Sequence, residues 1–342
     1  MEMSEILKET IFYEKLEDQK VKCGICPHYC IIRPNKVGFC GTRINKDGKC
    51  FSNIYGLVSA MAVDPIEKKP LFNYYPGSSI FSISSVGCNF KCLNCQNWHI
   101  SQTTYDKYPN IKEATPEKIV DLTIQEHCKS IAFTYNEPLI WLEYIYDVSK
   151  LAHEKNIKTV LVSNGYVSPE GLDYILPYID AANIDIKSIY DEFYNEICKI
   201  KSVKPVLRTV KTLYENNKHV ECTNLIIPGK NDSDENFRKL AEWILNECGP
   251  DVPLHFSRFR PEYKLNNIPP TPKKTIERAR KIAMDIGLYY VYVGNIYFED
   301  GETTFCPNCK KPLIKRYGYL INEINIKDGK CINCGEKVDI VI

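Results

Sequence analysis

The sequence predicts an α/β fold in which helices cover a parallel sheet, with a small cysteine-rich module at each end. Two observations lead to this prediction. Strand-like and helix-like apolar patterns alternate through the middle of the chain, and eleven of the sixteen cysteines fall into three tight groups. Strict alternation is typical of parallel strands joined by crossover helices. We therefore expect an N-terminal cysteine-rich module at 1–75, a central domain at 76–298 and a C-terminal module at 299–342.

The alternation places each element of the central domain. Pro116 suits the first position of a helix, and Thr115 before it suits the N-cap. The expected strands are 80–86, 130–135, 158–163, 181–187, 219–227 and 253–259. The expected helices between and after them are 116–128, 138–155, 169–178, 191–217 and 234–248. A last helix at 272–286 and a short strand at 289–293 follow, and the N-terminal module should begin with a helix. Six main repeats are too few for a complete eight-fold barrel.

Composition narrows the range of functions. The 342 residues are 44% hydrophobic, enough for a buried core, and 44 basic residues almost balance 43 acidic ones. A net charge of +1 gives no general basic field, so nucleic acid is not an expected partner. The charged N-terminus lacks the apolar core of a signal peptide, and polar residues interrupt the most apolar stretch, 131–146. We expect a cytoplasmic protein without a membrane span.

The central cysteines, Cys88, Cys92 and Cys95, directly follow the first expected strand. Three thiolates can hold three irons of a four-iron cluster, and the fourth iron would then be open to a ligand. The alternative is a structural zinc site with His99 as the fourth ligand. The carboxyl ends of parallel strands are where active sites of such folds lie, which places this loop at a functional edge.

Further polar residues end or line the other expected strands. They are Asn136, Glu137, Ser163, Asn164, Asp185, Lys187 and His255. Period-2 alternation puts Asp185 and Lys187 on one face of their strand. Each residue also has a purely structural interpretation: Glu137 as an acid favoured at a helix start, Asn164 as part of a turn, and the Asp185–Lys187 pair and His255 as satisfied internal groups.

The other two cysteine groups flank the central domain. Cys306, Cys309, Cys331 and Cys334 form two C-x2-C pairs, the pattern of a zinc ribbon that uses metal to fold a piece too small for its own core. The N-terminal group is Cys23, Cys26, Cys30 and Cys40, with His28 as a spare ligand. A structural metal such as zinc is the preferred interpretation there, since protein ligands can fill all four positions, and a second iron–sulfur cluster is the alternative.

Several motifs together carry a resemblance that covers nearly the whole chain. They are Cys23-x2-Cys26-Pro27-His28-x-Cys30, Gly38-x-Cys40-Gly41-x-Arg43, the run Asp64 to Pro70, Cys88-x3-Cys92-x2-Cys95-Gln96-Asn97-Trp98, Tyr135 to Pro138, Pro228 to Asp232 and the terminal ribbon. This set resembles the radical S-adenosylmethionine (SAM) enzyme of the AmmeMemoRadiSam system, which is related to pyruvate formate-lyase activating enzymes. The resemblance implies a partial (β/α)6 barrel whose open iron binds the amino and carboxylate groups of SAM.

The resemblance also implies roles for the polar residues. Asn136 and Glu137 stand in the turn that binds the SAM amino group, where Tyr135 and Asn136 replace the usual glycines. Ser163 and Asn164 would contact the ribose or carboxylate, Asp185 and Lys187 would lie near SAM, and His255 would contact adenosine. A low-potential donor would supply an electron, and the 5′-deoxyadenosyl radical so formed would remove a hydrogen from a substrate.

For the substrate we expect a protein or peptide, with Memo-type and AMMECR-type proteins as partners. One alternative is a non-catalytic scaffold, stabilised by metals, that binds partner proteins. Others are a glycyl-radical-enzyme activase and a radical SAM enzyme acting on a small molecule or RNA. The segment 96–115 has no cysteine, which argues against the activases that insert a ferredoxin-like module there.

Overall fold

The N-terminal module of the computed structural model, which describes residues 7–342, is built from short antiparallel strands. These are β1 (Lys8–Glu9), β2 (Tyr13–Lys15), β3 (Val21–Cys23), β4 (Ile31–Ile32), β5 (Arg43–Lys46), β6 (Lys49–Ser52) and β7 (Leu57–Val58). They form the sheets β2-β3-β4 and β1-β6-β5. The helix expected at the start of the chain is therefore wrong from residue 7 onward, because pairing with later strands overrides local helix propensity. Its first residues, 1–6, lie outside the described part.

An eight-stranded sheet forms the centre of the molecule. Its strands come from β8 (Ala60–Pro65), β9 (Ser79–Ser84), β11 (Ser130–Phe133), β12 (Lys158–Ser163), β13 (Ala181–Asp185), β14 (His219–Ile226), β15 (Leu254–Arg258) and β16 (Val291–Gly294), while β10 (Lys112–Glu113) pairs with β7. The order is β16-β15-β14-β13-β12-β11-β9-β8. All neighbours are parallel except the edge strand β8, which is antiparallel to β9. The predicted α/β fold with a partial, barrel-like parallel sheet is confirmed.

Two edge strands extend the six strands of the predicted repeat. The strand expected at 289–293 is β16, which joins the sheet beside β15. β8 comes from the segment assigned to the N-terminal module, so residues before the expected boundary at 75 complete the central sheet. Its sequence gave no signal of a core strand, since most of its residues are only half-buried.

The helices pack against the sheet with their apolar faces. They are α1 (Trp98–Ser101), α2 (Pro116–Gln125), α3 (Leu142–Glu154), α4 (Pro169–Ile175), α5 (Asp191–Phe193), α6 (Lys204–Glu215), α7 (Asp234–Glu247) and α8 (Lys273–Ile286), with 3₁₀ turns at Ile66–Lys68, Pro138–Trp141 and Leu176–Tyr178. The Thr115 hydroxyl accepts a hydrogen bond from the Lys118 amide at 3.3 Å, so the predicted N-cap is confirmed. The helical region expected at 191–217 is divided, because a π-helical turn at Tyr194–Cys198 ends at Lys199, whose φ is 63°. No helix within residues 7–342 is long and apolar enough to cross a membrane.

The C-terminal module is a small sheet fastened to the central domain. It contains β17 (Thr304–Phe305), β18 (Pro312–Tyr317), β19 (Leu320–Ile324), β20 (Ile326–Lys327) and β21 (Lys330–Cys331). Buried Arg316 donates to the Phe72 carbonyl at 2.5 Å and lies 3.6 Å from the Glu67 carboxylate. The Tyr75 amide donates to the Val341 carbonyl at 2.7 Å. The module therefore docks on the segment just before β9.

Candidate active site at the carboxyl end of the sheet

The three central cysteines occupy the loop that leaves the carboxyl end of β9. Cys92 is buried, whereas Cys88 and Cys95 are half-buried. Backbone hydrogen bonds fix the loop to the π-helical turn: the Lys91 amide donates to the Cys198 carbonyl at 3.0 Å, and the Leu93 amide to the Ile197 carbonyl at 2.9 Å. All seven parallel strands end at this edge, as the position of the motif in the sequence predicts.

A glycine is required where the loop begins. Gly87 has a φ of 84°, a left-handed conformation that disfavours other residues. A Cβ atom at this position would lie 2.7 Å from the Cys40 carbonyl oxygen and 2.6 Å from the Thr42 methyl group. The cysteine loop is therefore packed directly against the N-terminal module.

The spacing of the sulfurs distinguishes the kinds of metal site. Within residues 7–342, the group with three or more ligand atoms all within 4.8 Å of one another is the C-terminal quartet, Cys306, Cys309, Cys331 and Cys334. The central cysteines and His99 do not form such a set, and the His99 ring instead stacks on Trp98 with 3.7 Å between centroids. Wider spacing fits thiolates that each bind a different iron of a cluster and disfavours a single zinc ion held with His99. The donor set thus fits a four-iron cluster.

Asn164 connects the end of β12 to the cysteine loop. Its side-chain amide donates to the Asn89 side-chain oxygen at 2.8 Å and lies 3.9 Å from the Cys88 sulfur. Asn89 in turn donates to the Tyr166 carbonyl at 2.7 Å. These contacts place Asn164 beside the first cysteine of the triplet, which brings together two parts of the site that are 76 residues apart.

Glu137 is a buried carboxylate between the ends of β11 and β12. It accepts hydrogen bonds from the Ser163 hydroxyl at 2.7 Å, the Asn164 amide at 2.8 Å and the Leu139 amide at 2.9 Å. Burial nevertheless raises the pKa of Glu137 to about 7. Burial, and then the charge of Glu137, also raise the pKa of the Cys88 thiol. A cation bound here would therefore be stabilised by a carboxylate that the protein has already positioned.

The two residues before Glu137 hold the cysteine loop in place. The Asn136 side chain donates to the Gly87 carbonyl at 3.0 Å, and Asn97 donates to the Tyr135 carbonyl at 2.7 Å. Tyr135 has a φ of 70°, so the backbone keeps a conformation that glycine adopts most easily, although a tyrosine is present. Tyr135 and Asn136 stand where the resemblance predicts glycines, and the role of this turn in binding SAM stays a prediction.

Asp185 and Lys187 form an ion pair at the end of β13, with 2.8 Å between the Lys187 amine and the Asp185 carboxylate. Burial opposes the charge on Lys187, but Asp185 and then Cys92 outweigh it and raise its pKa well above the ordinary value. The pair therefore lies close to the cysteine loop, on the polar face that the alternation of the strand predicts.

His255 lies apart from these residues. It is the second residue of β15 and is buried, and its Nε2 is 2.6 Å from the Glu221 carboxylate. Phe72 and Tyr292 pack around its ring. Glu221 and Tyr292 belong to β14 and β16, whereas Phe72 comes from the segment before β9. Contact with adenosine stays a prediction.

Sequence reasoning missed Asn89 and Cys198. The thiol of Cys198 contacts the thiol of Cys92. Asn89 joins the cysteine loop to the Asn164 side chain and to the Tyr166 carbonyl. Nothing in the local sequence signals either role, because each depends on a segment more than 70 residues away.

Comparison with known proteins agrees with this geometry. Residues 82–244 match the radical SAM superfamily. The chain is 46% identical over 338 residues to an uncharacterized protein of Methanocaldococcus jannaschii, covering 98% of this chain and 100% of that one. It is 24% identical over 219 residues to the pyruvate formate-lyase 1-activating enzyme of Escherichia coli, covering 59% of this chain and 87% of the relative.

Among solved structures, a radical SAM methyltransferase from Sphaerobacter thermophilus aligns with a TM-score of 0.49 and 12% identity, over 84% of this chain and 76% of that one. Membership of the superfamily implies a four-iron cluster and SAM as cofactors, and the cysteine loop described above carries the matching ligands. The chain belongs to the radical SAM superfamily and is a radical SAM enzyme similar to the pyruvate formate-lyase activating enzymes.

Proposed function

We propose that this enzyme removes a hydrogen atom from a protein or peptide, as the radical SAM component of the AmmeMemoRadiSam system. Cys88, Cys92 and Cys95 would hold the catalytic cluster. When bound, that cluster supplies the electron that cleaves SAM into methionine and a 5′-deoxyadenosyl radical. The other residues of the site would bind, orient and shield the reactants.

Glu137 is suited to receive the SAM ammonium group. Its carboxylate is buried and its pKa is raised to about 7, so a neighbouring cation would strongly favour the ionised form. Ser163 and the Asn164 backbone already donate to this carboxylate, so we propose that they orient it. The Asn164 side chain and the Asp185–Lys187 pair would then contact the ribose or carboxylate of SAM.

One observation carries the proposal of a macromolecular substrate. The N-terminal module, which packs against the cysteine loop, exposes the apolar side chains Tyr29, Ile31, Val37 and Phe39 within residues 29–39. Ile31 is 63% exposed and Val37 50% exposed. Exposed apolar side chains grouped beside an active site are typical of a protein-binding surface, and a small molecule enclosed by the sheet would not need them.

Two further features support this choice. The sheet is not closed into a barrel, because its edge strands β8 and β16 do not pair with one another, and we propose that an extended segment enters from the side. The Escherichia coli relative is named for activating an enzyme, pyruvate formate-lyase. Memo-type and AMMECR-type proteins are the partners we propose to test first, together with a low-potential electron donor.

The experiment combines cross-linking with isotope transfer. The anaerobic enzyme, loaded with cluster and SAM, is incubated with dithionite and each candidate protein, grown in deuterated medium. We expect deuterium in 5′-deoxyadenosine and a modified residue in the candidate by mass spectrometry. The variant Ile31→Ser should reduce cross-linking, while SAM cleavage without substrate stays unchanged. A protein-free metabolite extract that supports many turnovers would contradict the proposal.

A further inference from the structure

The N-terminal cysteines stand together around one cavity. Cys23, Cys26, Cys30 and Cys40 line it, with His28 and Arg43 beside them, and it is partly open to solvent. The four thiols come from separate parts of the chain: the end of β3, the turn after it, the residue before β4 and the loop before β5. We propose that these four cysteines bind a second four-iron cluster, and that this cluster, not zinc, is the group for which the cavity is built.

The C-terminal ribbon provides an internal standard for zinc. Its sulfurs lie 3.6 Å apart for Cys306 and Cys334 and 3.8 Å apart for Cys309 and Cys331. Zinc–sulfur bonds of about 2.3 Å in a tetrahedral site require sulfurs about 3.8 Å apart, which is the spacing in the ribbon. The four sulfurs of the ribbon therefore already have the spacing of a site that holds a single zinc ion.

The N-terminal set does not have that spacing. Within residues 7–342, no three of its sulfurs lie within 4.8 Å of one another, although all four cysteines line the same pocket. The catalytic triplet likewise does not form such a close set. Four thiolates that each bind a different iron of a cube stand further apart than four thiolates on one ion.

The two wide sets share a second feature. The Phe39 amide donates a hydrogen bond to the Cys30 sulfur at 3.5 Å, and the Phe90 amide donates one to the Cys88 sulfur at 3.3 Å. Hydrogen bonds to the sulfurs are one of the means by which proteins tune iron–sulfur clusters. The ribbon sulfurs of Cys306 and Cys331 also accept backbone hydrogen bonds, so the spacing of the sulfurs, and not these bonds, separates the N-terminal cavity from the ribbon.

Direct contacts join the cavity to the catalytic loop. His28, which stands between Cys26 and Cys30, has its Nε2 2.8 Å from the carbonyl oxygen of Asn89, the residue after Cys88. On the other side, the Cys40 carbonyl packs against Gly87 so closely that a Cβ atom there would lie 2.7 Å away. A cluster in the cavity would lie next to the catalytic one and would help to fix the loop that holds it.

The test removes the catalytic cluster so that iron in the cavity can be counted alone. The triple variant with Cys88, Cys92 and Cys95 replaced by Ala is produced and purified anaerobically, with both iron and zinc supplied during growth. We expect about four irons and four acid-labile sulfides per chain, together with about one zinc. After dithionite reduction the electron paramagnetic resonance spectrum should show a four-iron signal that SAM does not change.

A further substitution assigns that iron to the cavity. Cys26→Ser in the triple-variant background should remove the iron and its signal but leave the zinc. The matched control, Cys128→Ala in the same background, replaces a cysteine outside the cavity and should retain both metals. About two zincs and no iron in the triple variant would overturn the proposal. SAM cleavage is not measured in these variants, so failure of the proposed substrate would leave the result unaffected.

Discussion

The Tyr135 hydroxyl donates a hydrogen bond to the carboxylate of Asp64, which also pairs with the buried amine of Lys69 at 2.6 Å. The same amine lies 4.4 Å from the centre of the Tyr135 ring. These contacts tie the edge strand β8 to the turn that precedes Glu137. They explain how a tyrosine holds a left-handed conformation, with φ of 70°, at a position where the resemblance described above predicts glycine.

Replacing Tyr135 with Phe should weaken this turn. The substitution removes a hydrogen bond to a charged carboxylate, which contributes about 2 kcal/mol. We expect the free energy of unfolding, measured by urea denaturation, to fall by about that amount. Tyr297→Phe is the control, since that side chain is 72% exposed, and it should change little. Equal stability of the Tyr135→Phe variant and the wild type would show that Asp64 does not hold the turn.

Glu137 should make stability depend on pH. Burial raises its pKa to about 7 from 4.5, so between these values the folded protein keeps a proton that the unfolded chain has lost. The contribution of Glu137 to the free energy of unfolding is therefore most favourable below pH 4.5. It decreases by about 3 kcal/mol in total as the pH rises to about 7. Urea denaturation at pH 5 and pH 7.5, without SAM or cluster, measures the difference.

Glu137→Gln should remove this part of the pH dependence, since the amide does not ionise. Glu14→Gln changes an exposed acid and serves as the control. A Glu137→Gln variant whose stability falls between pH 5 and pH 7.5 as steeply as that of the wild type would assign the effect to other groups.

The buried pair of Arg43 and Glu143 joins the N-terminal module to α3, with 2.6 Å between the charged groups and both side chains almost fully buried. Arg43→Met should destabilise the protein by about 3–5 kcal/mol, because it leaves the Glu143 charge buried and unpaired. The double variant Arg43→Met with Glu143→Leu should recover most of that loss. The exposed pair of Lys8 and Asp147 provides the control, and Lys8→Met should cost less than about 1 kcal/mol. A double variant as unstable as Arg43→Met alone would contradict this account.

The C-terminal quartet should bind zinc for stability and not for catalysis. Cys306→Ser is expected to lose the zinc, measured by elemental analysis, and to lower the melting temperature, because the metal stabilises a module with a small core. SAM cleavage per folded molecule should stay near the wild-type value. Cys248→Ser, which changes a buried cysteine outside the quartet, should keep its zinc. Unchanged zinc content in the Cys306→Ser variant would refute the ribbon as a zinc site.

Local signals account for what the sequence could predict. The cap at Thr115 and the strand 158–163 depend on neighbouring residues and on apolar alternation, and both appear at the predicted positions. The edge strand β8 could not be predicted, because only its pairing with β9 makes it part of the sheet.

The residues of the candidate site likewise include some that the local sequence predicts and others that depend on distant segments. The cysteine motif and Glu137 were recognised from their position at strand ends. The hydrogen bond between Asn164 and Asn89 and the contact of Cys198 with Cys92 join distant segments, and a pattern within one segment carries no information about such a partner.

The central claim is that Cys88, Cys92 and Cys95 support reductive cleavage of SAM. The most direct measurement is the formation of 5′-deoxyadenosine by the anaerobically reconstituted enzyme, with dithionite and SAM, analysed by liquid chromatography and mass spectrometry. The wild type should form 5′-deoxyadenosine and methionine, and single Ala variants at each of the three cysteines should form neither, while Cys128→Ala remains active. A wild-type enzyme with a full cluster content that forms no 5′-deoxyadenosine, or an active variant lacking all three cysteines, would contradict the account.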